Sequence, residues 1–92
     1  MSNVTVCIPP PLRVFTDGAG VLPVEADTVI EALATLGRAH DGLLSRIITP
    51  EGQLRPRVNV FIDQESVKML EGLATPLHEG ATVIIVPAVA GG

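Results

Sequence analysis

Residues Asn3 to Ile8 alternate: Val4, Val6 and Ile8 fall on one side of an extended chain, and Asn3, Thr5 and Cys7 fall on the other. That period of two predicts a strand with one buried face. Pro9-Pro10-Pro11 ends it, since proline has no N–H to give to a ladder. Leu12 to Thr16 and Val21 to Glu25 then flank Asp17-Gly18-Ala19-Gly20, which reads as a hairpin whose turn needs glycine at positive φ. Pro23 puts the second strand at a sheet edge or on a bulge.

The period changes after Ala26. Thr28 and Glu31 stand at capping-box spacing, with Asp27 just ahead. Val29, Ile30, Leu33, Leu36 and Gly37 recur as one helical stripe, and Gly42 supplies a stop. Leu43, Leu44, Ile47 and Ile48 predict a second short helical turn, and Thr49 to Pro56 a polar loop. Val58, Val60 and Ile62 alternate with Asn59 and Phe61, giving a third strand. Asp63-Gln64-Glu65 is a turn, Ser66-Val67-Lys68 a short strand, and Gly72 to Gly80 a helical turn or loop. Thr82 to Pro87 is the last strand.

A helix placed between a hairpin and later strands packs on one face of a sheet. The crossover through that helix makes the last strand parallel to the first. The expected fold is α+β: a β-grasp (ubiquitin-like) domain, with a mixed four- to five-stranded sheet packed on one main helix. The domain should span residues 1–87, with 88–92 as a flexible C-terminal Gly-Gly tail.

Val83-Ile84-Ile85-Val86 is apolar on both faces. Val83 and Ile85 are assigned to the core. With the last strand between the first and the third, Ile84 and Val86 share the open face with Thr5, Cys7, Asn59 and Phe61. One reading is a central strand partly covered by loops. The other is an exposed apolar patch for a partner.

Composition narrows what such a patch serves. Leu, Ile, Val and Phe make up 31 of 92 residues, above the roughly 20% below which disorder is expected. One cysteine makes no internal disulfide and no zinc or iron–sulfur site. Two phenylalanines are the only aromatics, too few for a base-stacking platform, and a net charge of −4 argues against nucleic acid. The start lacks a basic region and a long apolar core, and no segment is long enough to span a bilayer. A cytoplasmic protein, monomeric when free, without membrane attachment, metal or bound cofactor, is expected.

Few reactive side chains remain. Cys7 reads as a small apolar filler rather than a sulfur relay, with no His or Lys beside it in sequence. His40 and His78 lack metal-ligand spacing, and His40 suits a helix C-terminus. Arg55 and Arg57 flank Pro56, as a solvated edge or as docking cations opposite an acidic groove. Lys68 and the N-terminal amine are the amines available for conjugation.

The ending offers other chemistry. Two glycines can be a frayed terminus. They can also thread the main chain into a narrow site where any Cβ would clash, making the terminal carboxylate the reactive group. A carboxylate becomes an acyl donor once ATP adenylates it. Ordering Ala88 to Gly92 costs about 1–2 kcal/mol per residue. Burying Ile84 and Val86 on a partner contributes about 1.5–3 kcal/mol each.

The strand Val83 to Val86, the ending Pro87-Ala88-Val89-Ala90-Gly91-Gly92, and Gly72-Leu73-Ala74-Thr75 leading into Glu79-Gly80 resemble the ThiS/MoaD family of ubiquitin-like sulfur carriers over the whole chain. The resemblance implies a protein cosubstrate, not an enzyme. A ubiquitin-activating-like adenylyltransferase uses ATP to activate the Gly92 carboxylate. A sulfur donor turns it into a thiocarboxylate, and an acceptor enzyme takes the sulfur. Gly92 is then the reactive residue and Gly91 gives access. Ile84, Val86, Phe61, Ala88, Val89, Ala90, Arg55 and Arg57 are the partner-binding candidates.

Leu73-Ala74-Thr75, the long Leu43 to Pro56 segment and the Ala-Val-Ala-Gly-Gly ending are most similar to the CysO-like carriers of cysteine biosynthesis. Their acceptor is a cysteine synthase holding pyridoxal phosphate. The small subunit of molybdopterin synthase and carriers for sulfur-containing specialised metabolites are the alternatives in the family. A ubiquitin-like protein modifier and a non-carrier interaction module are the alternatives outside it.

Overall fold

The alternating segments become strands β1 (Ser2–Cys7), β2 (Val21–Ala26), β3 (Val58–Ile62), β4 (Glu65–Ser66) and β5 (Thr82–Pro87). They form one mixed sheet in the order β2-β1-β5-β3-β4. The computed structural model describes residues 1–87. β1 is antiparallel to β2 and parallel to β5, and β5 is antiparallel to β3. The parallel pair follows from the crossover through α-helix α1 (Val29–Ala39). β2 stands at the edge, where the missing N–H of Pro23 is tolerated.

Helix α1 starts on a cap that the sequence signals. The Glu31 backbone N–H donates to Thr28 Oγ1 at 3.3 Å. The returning bond closes one residue earlier than a standard capping box, because Glu31 Oε1 accepts from the Asp27 N–H at 3.0 Å. Val29, Ala32, Leu33 and Leu36 are the helix's buried residues. They join Val4, Val6, Val60, Val83 and Ile85 in one core. His40 caps the C-terminus, its N–H donating to the Leu36 carbonyl.

Gly37 explains how the next segment packs. A Cβ there would lie 2.8 Å from Leu44 Cβ. Glycine therefore admits the short 3-10 turn Leu44–Arg46 against the helix. That turn is the second helical segment expected around Leu43 to Ile48, and Leu43, Ile47 and Ile48 are buried.

Two expectations are corrected. Leu12 to Thr16 is not extended: Pro10–Thr16 is a 3-10 helix with proline in its first turn. Proline has the φ this position needs, and its missing N–H is not required there. Leu12 and Thr16 are buried by the coil, and Asp17 ends it at φ 54. The hairpin is thus β1 and β2 joined by a helical connection. Ser66-Val67-Lys68 is likewise not a strand throughout. β4 ends at Ser66, whose Oγ accepts from the Lys68 N–H and caps a 3-10 turn over Val67–Met69. Coiling there buries Val67 completely.

Candidate functional site: the open face of the sheet

Alternation divides the sheet into two faces. Val24, Val4, Val6, Val83, Ile85, Val58, Val60 and Ile62 are buried on the helix side. Strand register places the remaining residues opposite one another on the other side. Val21 pairs with Cys7, Cys7 with Ile84, Ile84 with Phe61 and Phe61 with Ser66. One transverse row thus crosses all five strands, and four of its members are apolar. Asn59 and Val86 pair one step further along.

None of these side chains is fully buried. Cys7, Ile84 and Phe61 are half-buried, and Val86 is 41% exposed. Of the partner-binding candidates, Ile84, Val86 and Phe61 are therefore brought together on one surface. Val21, 60% exposed at the edge, extends that surface. It was missed in the sequence because its place beside Cys7 depends on the β1–β2 register. Cys7 lies mid-row as a free thiol.

The two ends of this face differ in charge. Near the end of β5, Pro56, Arg57, Val58, Asn59, Lys68, Val86 and Pro87 line a shallow depression of about 240 Å³. Arg57 and Lys68 are exposed and give it a cationic rim. Asn59 Oδ1 accepts from Ser66 Oγ at 2.8 Å, tying β4 to this edge. Arg55 does not join Arg57. Its Nε donates to the Ser45 carbonyl at 2.7 Å, and it borders a separate depression with Leu44, Ile48 and Pro50.

The start of β5 is anionic. Asp63 occupies the β3–β4 turn at φ 57, a left-handed conformation that Asp tolerates better than most residues. Its carboxylate accepts from the Thr82 N–H at 3.2 Å and meets His78 Nε2 at 3.0 Å. The His78 hydrogen bond, the Thr82 N–H and the imidazolium charge hold Asp63 below the ordinary carboxylate range. Hydrogen bonds to the Glu79 carbonyl and to Asp63 raise His78. Glu79 is lowered by the backbone and side-chain N–H groups of Asn3. All three groups are solvent-exposed, so water and salt screen the pairing. Sequence gave no local signal for these contacts, which span 15 and 76 positions.

Ala88, Val89, Ala90, Gly91 and Gly92, expected to supply tail contacts, access and the reacting carboxylate, lie outside the described residues. Among the described residues no group of three or more His, Cys, Asp or Glu side chains could hold a metal ion. No helix there is long and apolar enough to cross a membrane.

Comparison with known proteins follows the same outline. The model of the ThiS family matches residues 11–92. The sulfur carrier protein CysO of Mycobacterium tuberculosis is 38% identical over 92 residues, covering 98% of this chain and 99% of that protein. A chain in the crystal structure of the Amycolatopsis orientalis BexX/CysO complex superposes with a TM-score of 0.91. It is 36% identical, with 97% of this chain and 99% of that chain covered. Small archaeal modifier protein 3 of Haloferax volcanii is 42% identical over 65 residues, covering 71% of this chain and 70% of that protein.

Proposed function

The chain belongs to the ThiS family, and from that premise we propose that it is a sulfur carrier acting through the carboxylate of Gly92. The observation that carries this reading is the full-length similarity to CysO, together with a sequence ending in Gly91-Gly92. The chain acts as a protein cosubstrate. A ubiquitin-activating-like adenylyltransferase holds ATP, and the Gly92 carboxylate attacks its α-phosphorus, releasing pyrophosphate. A sulfur nucleophile then adds to the acyl carbon and AMP leaves, giving the thiocarboxylate. The small side chains of Ala88, Ala90 and Gly91 let the main chain enter a narrow site.

The apolar row supports the docking half of this reading. Ile84, Val86 and Phe61 with Val21 form a surface the fold does not need for its core. Arg57 borders it with a positive charge. Arg55 takes a lesser part, since its guanidinium already serves the Ser45 carbonyl. The acceptor is a cysteine synthase. Its pyridoxal phosphate would supply the electrophile that accepts the sulfur.

The similarity to a small archaeal modifier protein favours a second reading, in which activated Gly92 forms isopeptide bonds with other proteins. Intact mass after incubation with an adenylating enzyme, ATP and a sulfide source separates the two. A mass increase equal to replacing oxygen by sulfur is the carrier's result. Conjugates with no such increase are the modifier's. An alanine added after Gly92 should abolish both, and activation undiminished by that extension would overturn the proposal.

A further inference from the structure

The open face of the sheet carries charge at two opposite corners. Alternation in β2 buries Val24 and Ala26 and turns Glu25 outward, opposite Asn3 on β1. Glu79 brings a second carboxylate there, accepting from Asn3 Nδ2 at 3.1 Å. Both carboxylates are exposed. At the other corner Arg57, just ahead of β3, and Lys68 are exposed around one depression. Asn3 lies two residue steps before the Thr5–Thr82 pair, and Val58, opposite Pro87, lies five steps beyond it. The corners are therefore roughly 24 Å apart along the strands. From β2 to β3 the sheet crosses three strand intervals, roughly 14 Å.

The middle of this diagonal is apolar. It falls on the transverse row between Cys7 and Ile84, both half-buried, with Val21, Phe61 and Val86 around them. Such a layout is self-complementary. A two-fold axis in the plane of contact, perpendicular to the diagonal, lays each copy's acidic corner on the other copy's basic corner. The same axis crosses the apolar row, so the two rows meet at the centre. Five strands about 4.8 Å apart and about 24 Å long give a face of roughly 500 Å² per copy. Two such faces bury about 1,000 Å², the lower limit of a specific interface.

We propose that a second copy of this chain occupies the open face, in a weak two-fold dimer held by Glu25 against Arg57 and by the apolar rows between these contacts. The two contacts are symmetric: Glu25 of each copy meets Arg57 of the other, with Glu79 and Lys68 beside them. At an ionic strength of about 0.15 M the Debye length is about 8 Å. The net charge of −4 on each copy is then screened, whereas the corner pairs act at contact distance. An interface this small gives a dissociation constant on the order of 100 μM. The chain is thus monomeric at low micromolar concentration and pairs where it accumulates. The dimer covers the surface proposed above for the activating enzyme, so the two occupants exclude each other. The pairing itself does not depend on Gly92 or on its activation.

Sedimentation equilibrium of the full chain, from about 10 μM to about 1 mM so as to span that constant, tests the proposal. The wild type should fit a monomer–dimer equilibrium. Glu25→Lys and Arg57→Glu should each weaken pairing about tenfold, because each makes both symmetric contacts repulsive. An equimolar mixture of the two variants should pair at wild-type strength, since every corner contact then joins opposite charges. Both positions are exposed, so the thermal unfolding of either variant should match that of the wild type. Amide spectra of the isotopically labelled wild type should shift with concentration at Cys7, Ile84 and Phe61. A wild type that stays monomeric throughout, single variants that pair as well as it does, a mixture that fails to pair, or shifts confined to the helix side would overturn the proposal. Assemblies larger than a dimer would also overturn it, because a two-fold contact closes on itself. No activating enzyme is present, so such a failure leaves the activation of Gly92 untouched.

Discussion

Strand β5 carries two apolar pairs that differ only in which way they face. Val83 and Ile85 point to α1 and expose 0% and 2% of their surface. Ile84 and Val86 point away, one half-buried and the other 41% exposed. The chemistry is nearly the same, so propensity for the strand does not explain both pairs. The inner pair is accounted for by the core it joins. The outer pair contributes less to folding, and its apolar surface, aligned with Cys7, Phe61 and Val21, is the proposed docking site.

The largest expected effect tests the inner face. Ile85→Ala opens a cavity in the core and should destabilise the fold by about 3 kcal/mol. Ile84→Ala, one position along, removes less buried surface and should cost about 1 kcal/mol. Urea denaturation of both variants measures the contrast, and equal losses would break it. A smaller effect is expected at the other wall of the core. Gly37→Ala gains helix propensity of about 1 kcal/mol but drives a methyl group into Leu44, 2.8 Å away. The overpacking wins, with a net loss of about 1 kcal/mol, read from the same denaturation curves.

The smallest effect belongs to the anionic rim. His78 is raised, so its contribution is fully present below the ordinary imidazole value of about 6.5 and fades as pH rises through its folded value. Asp63 is lowered, so its contribution is present above about 3.9 and fades as pH falls through its folded value. The pair thus helps most between those limits. His78→Gln should lower the unfolding midpoint slightly within that window and remove the decline that sets in as pH rises above about 6.5. Added salt should shrink the difference from wild type, because both groups are exposed.

Much of this was legible in the sequence. Alternation identified β1 and β3 and sorted their two faces, an apolar run identified β5, and Thr28 and Glu31 marked the helix start. Pro23 signalled the edge position of β2. What failed were segments where tertiary burial overrode local pattern: Leu12 to Thr16 coils because Leu12 and Thr16 gain burial that way, and Val67 is pulled inward. Of the open face, the grouping of Ile84, Val86 and Phe61 followed from strand parity together with the expected strand order. Val21, Lys68 and the Asp63–His78 pair did not, because register and loop closure bring them there. Arg55 and Arg57 look equivalent two residues apart, yet Pro56 separates a tethered guanidinium from an exposed rim charge.

The central claim is that the outer apolar face serves activation and not the fold. Val86→Asp tests it most directly, because this residue is the more exposed of the outer pair. Its intact mass should be followed during incubation with the adenylating enzyme, ATP and sulfide, beside its thermal unfolding. The account predicts a wild-type unfolding midpoint with the oxygen-to-sulfur mass increase slowed at least about tenfold, equivalent to about 1.4 kcal/mol of lost docking. A folded variant that gains sulfur at the wild-type rate would contradict it.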